Sequence, residues 1–184
     1  TFLIGSAPVG PSTVERLMRL IGEPPIVRFG STELCLQALG VPIALTSSQR
    51  LNAFKRGWDH GSDSQAPGYY IGRPHPGYTE AMVVRSVQVG APDFMELVGH
   101  GVPGYLVVRS TSAMVEYWDD VNATEAVWHK GWYTGLGDIV FSLENPEDTG
   151  TDYYWISRDS GLLIRGGANY SCAQIGVDIK SIVL

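Results

Sequence analysis

The chain has 184 residues, of which 44% are hydrophobic and 17% are charged, and its formal net charge is −6. This composition supports a hydrophobic core in one domain, or one domain with a small appendage, and argues against a disordered chain. The acidic charge and the scattered Lys and Arg exclude a basic nucleic-acid footprint, and no apolar run reaches the ~20 residues of a membrane span, so we expect neither partner.

The first forty residues show an alternation of strand and helix signals. Residues 2–4 form a short apolar run that ends in the turn Gly5-Ser6-Ala7-Pro8. A helix is predicted from Pro11 to a glycine stop at Gly22, and a second strand follows over residues 25–29. A strand, a helix and a strand within about thirty residues predict a parallel pair with a crossover helix.

The sequence changes in character after residue 40. Residues 46–68 are polar and rich in Ser, Asp, Gly and Gln, so we interpret most of this stretch as a surface loop. Glycine and proline then separate three short β-prone runs at residues 81–87, 94–98 and 105–108. This spacing predicts a small antiparallel sheet or barrel.

The last third of the chain predicts mixed elements, with Asp119 or Asp120 as a helix cap. They are helices over residues 112–118 and 119–128, a hairpin of residues 139–143 and 153–156, and a strand over residues 162–165. Residues 171–184 are ambiguous and could form a short helix. Cys35 and Cys172 lack CxxC spacing, so we expect buried free thiols rather than a disulfide, and a cytoplasmic or other intracellular location.

Three motifs carry the chemistry, and they occur in a fixed order. The first is Arg28-Phe29-Gly30-Ser31-Thr32-Glu33, and the second is the glycine-lined turn from Gly131 to Asp138. The third joins Arg158 to the turn Gly166-Gly167-Ala168-Asn169. Together they resemble the acyl-adenylate-forming (AMP-binding) superfamily, which includes acyl-CoA synthetases, coumarate-CoA ligases, luciferases and peptide-synthetase adenylation domains.

The resemblance implies roles for the first motif. Phe29 would flank the adenine and acyl sites beside Gly30, the Thr32 hydroxyl would meet the phosphate, and Glu33 would contact Mg²⁺. A single carboxylate is chemically sufficient for a cation that bridges phosphates. Thr32 and Glu33 are therefore the candidate catalytic residues. A strand end followed by a capped helix is the alternative interpretation of this segment.

The resemblance also assigns the remaining nucleotide contacts. Ser6, Ala7 and Pro8 would lie against the adenine, although an ordinary turn between strand and helix is the better explanation when this motif is taken alone. Asp138 would accept hydrogen bonds from both ribose hydroxyls, as a carboxylate can for a vicinal diol. Its turn is one residue longer than the family pattern, so the extra residue either bulges harmlessly or displaces the carboxylate.

Arg158 would touch the ribose and lead into a hinge at Ser160 and Gly161. Gly166 and Gly167 would lie near the pantetheine tunnel. The implied cofactors are ATP or AMP, Mg²⁺, and coenzyme A or phosphopantetheine. Arg28 replaces a polar residue and would add positive charge near the phosphates.

Two family elements are absent from the sequence: the Ser/Thr/Gly-rich phosphate loop and the distal segment with the adenylation lysine. We therefore predict a fragment, split segment or degenerate relative of an ATP-dependent acid–CoA ligase, whose partners are a carboxylic acid, a nucleotide and the rest of the parent enzyme. The alternatives are a non-catalytic structural or interaction module and a stand-alone β-rich domain. The predicted fold is α/β (α+β), a strand–helix–strand piece packed on a barrel-like antiparallel subdomain. Its units are the end of a nucleotide-binding subdomain (residues 1–45), the β-rich subdomain (46–157), and the hinge with the start of a lid (158–184).

Overall fold

A computed structural model describes residues 2–63, 67–159, 162–165 and 168–171. The helices are α1 (Pro11–Ile21), α2 (Ser47–Asp63) and α3 (Val121–Val127). The strands before residue 112 are β1 (Leu3–Ile4), β2 (Ile26–Phe29), β3 (Leu39–Gly40), β4 (Tyr69–Pro74), β5 (Thr79–Val84) and β6 (Gly104–Ser110). The later strands are β7 (Trp128–His129), β8 (Trp132–Tyr133), β9 (Asp138–Glu144), β10 (Thr151–Arg158), β11 (Leu162–Arg165) and β12 (Ala168–Ser171). No helix in the described ranges is both long and apolar enough to cross a membrane.

The strands form one continuous sheet of ten, in the order β1-β2-β3-β4-β10-β9-β6-β8-β7, with β5 paired to β6. Strands β1 and β2 are parallel and are joined through α1, which confirms the predicted crossover. The other pairings in this sheet are antiparallel, and β11 and β12 form a separate hairpin. The mixed α/β architecture is confirmed, whereas the subdomain boundaries remain a prediction.

Alternate residues of the central strands supply two hydrophobic cores. Tyr70 and Tyr154 belong to the core that α1 and α2 cover, whereas their neighbours Ile71 and Tyr153 belong to the second core. Successive side chains of a strand point to opposite faces, so β4, β9 and β10 are buried on both sides. The predicted hairpin of residues 139–143 and 153–156 is confirmed, and its two strands lie in the middle of the sheet.

The prediction of a surface loop over residues 46–68 is wrong, because most of this stretch is α2. Its start is a capping box: the Thr46 hydroxyl accepts from the Gln49 backbone N–H at 3.2 Å, and the Gln49 side chain accepts from the Thr46 backbone N–H at 2.9 Å. On the inner face of α2, the Phe54 side chain is only 1% exposed. At Gly57 a Cβ would lie 1.9 Å from the Tyr154 ring, so glycine lets the helix approach the sheet closely.

Two other predicted elements are also wrong. Residues 112–118 are not helical, because the Met114 backbone N–H donates to the Glu33 carbonyl at 2.6 Å and the segment packs on the Thr32–Leu34 turn. Residues 94–98 make only isolated bridges, since Met95 takes a φ of 59° that interrupts an extended strand.

The remaining predictions have mixed outcomes. The Asp120 side chain caps α3 by accepting from the Ala123 backbone N–H at 2.9 Å, as predicted. Cys35 is a free thiol but is exposed, so the prediction of its burial is wrong. Of the ambiguous stretch 171–184, Ser171 ends β12, and the remaining residues, Cys172 among them, lie outside the described residues.

Candidate functional site

A pocket of about 500 Å³ opens at the junction of the parallel and antiparallel parts of the sheet. Its walls come from segments that are far apart in sequence. The predicted residues among its lining are Ser6, Ala7, Pro8, Phe29, Gly30, Thr32, Asp138 and Arg158. The fold therefore brings the Ser6–Pro8 turn, the loop after β2, Asp138 and Arg158 together around one cavity.

The loop after β2 shapes one wall of the pocket. The backbone of Leu36 folds back on Gly30, and its N–H donates to the Ser31 carbonyl at 2.7 Å. A Cβ on Gly30 would lie 2.8 Å from backbone atoms of Leu36 and Gln37, so only glycine fits without a shift of the loop. Thr32 is exposed at the start of the short turn that follows.

Glu33 lies beside this pocket rather than in its lining. The Tyr117 hydroxyl donates to Glu33 Oε1 at 3.2 Å, and the Tyr117 and Tyr133 hydroxyls are 3.3 Å apart. The pKa of Glu33 is lowered, chiefly because its own backbone N–H donates to the carboxylate, with a smaller contribution from Tyr117. An ionised carboxylate of this kind is a chemically suitable oxygen ligand for Mg²⁺.

Asp138 is the buried acid of the pocket, with 2% exposure. The Trp155 indole N–H donates to Asp138 Oδ1 at 2.8 Å, and Arg158 Nε lies 3.2 Å from the same oxygen. Burial raises the pKa of the Asp138 carboxyl, and the contacts with Trp155 and Arg158 partly oppose that rise. Oδ2 accepts no hydrogen bond from the described part of the chain, so this oxygen is available to a ligand.

The extra residue of the Asp138 turn is absorbed without moving the acid out of the pocket. Leu136 is 3% exposed and packs in the second core, and Gly137 takes a φ of 65°. The Leu136 carbonyl accepts from Arg158 Nη1 at 3.2 Å, and the Gly137 carbonyl accepts from the Asp159 N–H at 2.8 Å. The turn is therefore anchored to the end of β10.

A β-bulge explains why Trp155 and Arg158 reach the same carboxylate. In a regular strand, residues three apart point to opposite faces. Here Trp155 pairs with Val140, while Arg158 pairs directly with Asp138, and the register shifts between them. The extra residue of the bulge changes the phase of the strand, as bulges do where a side chain must be redirected.

Arg28 also lines the pocket, but its guanidinium is partly occupied. Nη1 donates to the Val41 carbonyl at 3.3 Å. A Cβ at Gly40 would lie 2.6 Å from this Nη1, so the guanidinium packs closely against β3. Its contribution of positive charge near a phosphate remains a prediction.

The sequence reasoning missed the aromatic part of the pocket. Tyr69, Tyr70 and Trp155 all line it, and the Tyr69 ring packs against Trp155 with centroids 5.9 Å apart. The sequence did contain a pattern that could have indicated this wall, namely the aromatic runs Tyr69-Tyr70 and Tyr153-Tyr154-Trp155. Because successive side chains of a strand point to opposite faces, each run places aromatic rings on both faces of the sheet. The predicted residues Gly166 and Gly167, and the hinge residues Ser160 and Gly161, lie outside the described residues.

Known proteins share part of the sequence and the fold of this chain. No protein-family model matches the chain. The chain is 28% identical over 165 residues to an indoleacetate–CoA ligase from Aromatoleum aromaticum, in a match that covers 88% of this chain and 26% of that protein. The chain therefore spans about a quarter of the length of its curated relative.

Solved structures share the fold at lower identity. The complex of o-succinylbenzoate CoA synthetase from Bacillus subtilis with its acyl-adenylate intermediate has a TM-score of 0.68 and 23% identity, covering 94% of this chain and 29% of that one. ATP-bound MatB from Rhodopseudomonas palustris has a TM-score of 0.67 and 20% identity, covering 92% and 27%. The amide bond synthetase McbA from Marinactinospora thermotolerans has a TM-score of 0.66 and 22% identity, covering 94% and 29%.

The solved structures show the fold of this chain, and the curated relative shows a partial sequence similarity. The chain has the fold of the acyl-adenylate-forming superfamily, and the resemblance predicted from its motifs is confirmed. Within that superfamily, the chain is similar to the AMP-binding acyl-CoA ligases, over a part of their length.

Proposed function

We propose that this chain provides the ribose- and adenine-contacting part of the nucleotide site in an ATP-dependent adenylate-forming ligase. The parent enzyme would convert a carboxylic acid and ATP into an acyl-adenylate and pyrophosphate, and then transfer the acyl group to a thiol. The observation that supports this best is the convergence of the Ser6–Pro8 turn, the Phe29–Thr32 loop, Asp138 and Arg158 on one pocket.

Each proposed contact follows from the chemistry of the residue. The ribose diol would be held by Asp138, because Oδ2 has no donor among the described residues and a carboxylate accepts two hydroxyl hydrogen bonds. Arg158 would keep the carboxylate ionised and donate to the ribose. The adenine would lie between the Ser6–Pro8 turn and the aromatic wall that includes Tyr69.

The residues beside the pocket fit a magnesium ion bound together with the nucleotide phosphates. Glu33 would hold the ion through its carboxylate, and the lowered pKa further favours the ionised form. The chemistry that such an ion would supply is neutralisation of the phosphate charge. Thr32, exposed at the mouth, would donate its hydroxyl to a phosphate oxygen.

The 184-residue chain alone lacks some of the residues that the proposed reaction requires. The pocket as described is lined by Arg28 and Arg158 but by no lysine. Positioning and charge stabilisation supply most of the rate in such reactions, so we expect the isolated chain to be inactive. The thiol acceptor would be coenzyme A or phosphopantetheine, and its proposed contact at Gly166 and Gly167 is an expectation from sequence.

Pyrophosphate exchange into ATP tests the proposal. We expect the complete polypeptide that carries this sequence to exchange label in the presence of a suitable carboxylic acid, and the 184-residue chain to give none. Glu33→Gln in the complete polypeptide should reduce exchange strongly, whereas Glu116→Gln, in the loop beside it, is the matched control and should not. A folded complete polypeptide that binds MgATP but exchanges no label with any of a broad panel of acids would favour the non-catalytic module instead.

A further inference from the structure

We propose that Trp155 is a positioning residue for the nucleotide, because its indole N–H holds the Asp138 carboxylate in the orientation that presents Oδ2 to the ligand. The inference rests on the proposed function, since it concerns how the same site recognises ribose. The hydrogen bond from Trp155 Nε1 to Asp138 Oδ1 is 2.8 Å long. It occupies the one oxygen that also faces Arg158.

The indole is held by packing against the second core and against an aromatic neighbour. Trp155 packs on the second core and against Tyr69, and Tyr69 in turn packs against Trp58 of α2 with centroids 5.5 Å apart. The bulge in β10 gives Trp155 and Arg158 a common direction. A rigid donor on a packed strand fixes an acceptor better than a flexible one, because little side-chain freedom remains to be lost on binding.

The charged groups around Asp138 are either exposed or occupied elsewhere, so the hydrogen bond from Trp155 is important for the orientation and ionisation of this carboxylate. Arg158 faces Asp138 from β10, but its side chain is 59% exposed and is therefore screened by solvent. Arg28 lines the same pocket, and its Nη1 donates to the Val41 carbonyl. Glu33 lies beside the pocket, and the charge of Arg158 contributes to lowering its pKa. Asp159 accepts a hydrogen bond from the Tyr105 hydroxyl at 3.1 Å, outside this pocket.

A loss of the indole N–H has a defined electrostatic consequence. Burial raises the pKa of Asp138, and Trp155 opposes this rise more than Arg158 does. Without the indole donor the pKa of Asp138 rises further, so the carboxyl becomes protonated at a higher pH. A protonated carboxyl has less acceptor capacity for the ribose diol, and nucleotide affinity should then be lost at a higher pH on acidification.

The test compares two tryptophan variants of the complete polypeptide by calorimetric titration with MgATP between about pH 5 and about pH 8. Trp155→Phe keeps an aromatic ring and removes the donor, while Trp58→Phe removes an indole from the same aromatic cluster without touching Asp138. We expect Trp155→Phe to weaken binding roughly tenfold at neutral pH and to move the acid midpoint of binding upward. Trp58→Phe should leave the midpoint unchanged.

Three outcomes would overturn the inference. The first is a Trp155→Phe protein with the affinity and midpoint of the Trp58→Phe protein. The second is weaker binding with an unchanged midpoint, which would show that packing alone was lost. The third is a wild-type protein that does not bind MgATP, or an Asp138→Ala protein that binds it normally; this outcome also overturns the proposed function, whereas the first two leave it intact.

A measurement on the wild-type fold keeps the inference testable if Trp155→Phe does not fold. The indole N–H resonance in ¹H–¹⁵N spectra should shift as Asp138 titrates, and Trp58→Phe identifies the neighbouring indole by its missing signal. We expect one indole resonance to titrate in the wild type and to stay fixed in Asp138→Asn. Indole resonances that are all insensitive to pH in the wild type would contradict the proposed hydrogen bond.

Discussion

The buried carboxylate of Asp152 is predicted to be a main determinant of the stability of this fold. Asp152 is fully buried, and its Oδ1 accepts from the Tyr70 hydroxyl at 2.9 Å and from Arg73 Nε at 2.6 Å. Oδ2 accepts from Asn145 Nδ2 at 3.0 Å and from Arg56. The carboxylate thus joins α2, β4 and the β9–β10 turn.

The expected loss of folding free energy in Asp152→Ala depends on the two arginine charges that lose their partner. Removal of one partner from a buried ion pair costs about 3–5 kcal/mol, because the remaining charge is uncompensated. The side chains of Arg56 and Arg73 are 25% and 17% exposed, so both reach some water. Arg73 also keeps its two contacts with Asp148. We therefore expect the lower end of the range, about 3 kcal/mol.

Thermal and urea denaturation of the 184-residue chain measure this loss. A decrease of about 3 kcal/mol in the free energy of unfolding corresponds to about 6–12 °C in Tm for a chain of this size. Asp148→Ala is the matched control, because it removes an acid that contacts the same Arg73 but is 32% exposed, and it should cost about 1 kcal/mol or less. Equal small losses for Asp152→Ala and Asp148→Ala would refute the reasoning.

Three further predictions concern the pocket and its turn. Gly30→Ala should weaken MgATP binding by roughly tenfold or more by calorimetry, because its Cβ would lie 2.8 Å from backbone atoms, whereas Gly99→Ala, whose Cβ would meet nothing within 4 Å and which lies outside the pocket lining, should bind normally. Leu136→Ala should lower the free energy of unfolding by about 2–5 kcal/mol in urea, since Leu136 is 3% exposed in the second core; an effect below about 1 kcal/mol would mean that the extra residue is not packed. Asp138→Asn should raise the Tm of the ligand-free chain at neutral pH, because burial raises the pKa of Asp138 above its unfolded value and the ionised form is therefore penalised at high pH. That gain should disappear as pH falls through the folded-state pKa, and a Tm difference independent of pH would contradict it.

The predictable part of the fold is the part in which local patterns and tertiary structure agree. The parallel β1–β2 pair, the β9–β10 hairpin and the Asp120 cap each follow from apolar runs, turn residues and a capping side chain close in sequence. The motif residues around Gly30 line one pocket with Asp138 and Arg158, and their assignment to a nucleotide site remains a prediction from the family resemblance.

The errors arise where long-range contacts override local composition. Helix α2 has a polar outer face that resembles a loop in composition, and only the capping box at Thr46 and the inward-facing Phe54 distinguish it. Residues 112–118 have helical propensity, but the loop at Glu33 takes their backbone hydrogen bond. Sequence patterns could not reveal that Trp155 contacts Asp138, because that contact depends on a bulge in the pairing with β9.

The central claim, that Asp138 holds the ribose diol, is tested most directly by a double-mutant cycle between protein and nucleotide. ATP and 2′,3′-dideoxy-ATP would be titrated into the wild-type and Asp138→Ala forms of the complete polypeptide. Two hydrogen bonds to a charged acceptor are worth roughly 1.5–3 kcal/mol each when desolvated and less near solvent, so ATP affinity should fall roughly ten- to a thousandfold in Asp138→Ala. Asp138→Asn should show a smaller loss. The wild type should discriminate against the dideoxy nucleotide by a similar factor, and folded Asp138→Ala should not discriminate. Wild-type ATP affinity in Asp138→Ala, or discrimination that survives the substitution, would contradict the account.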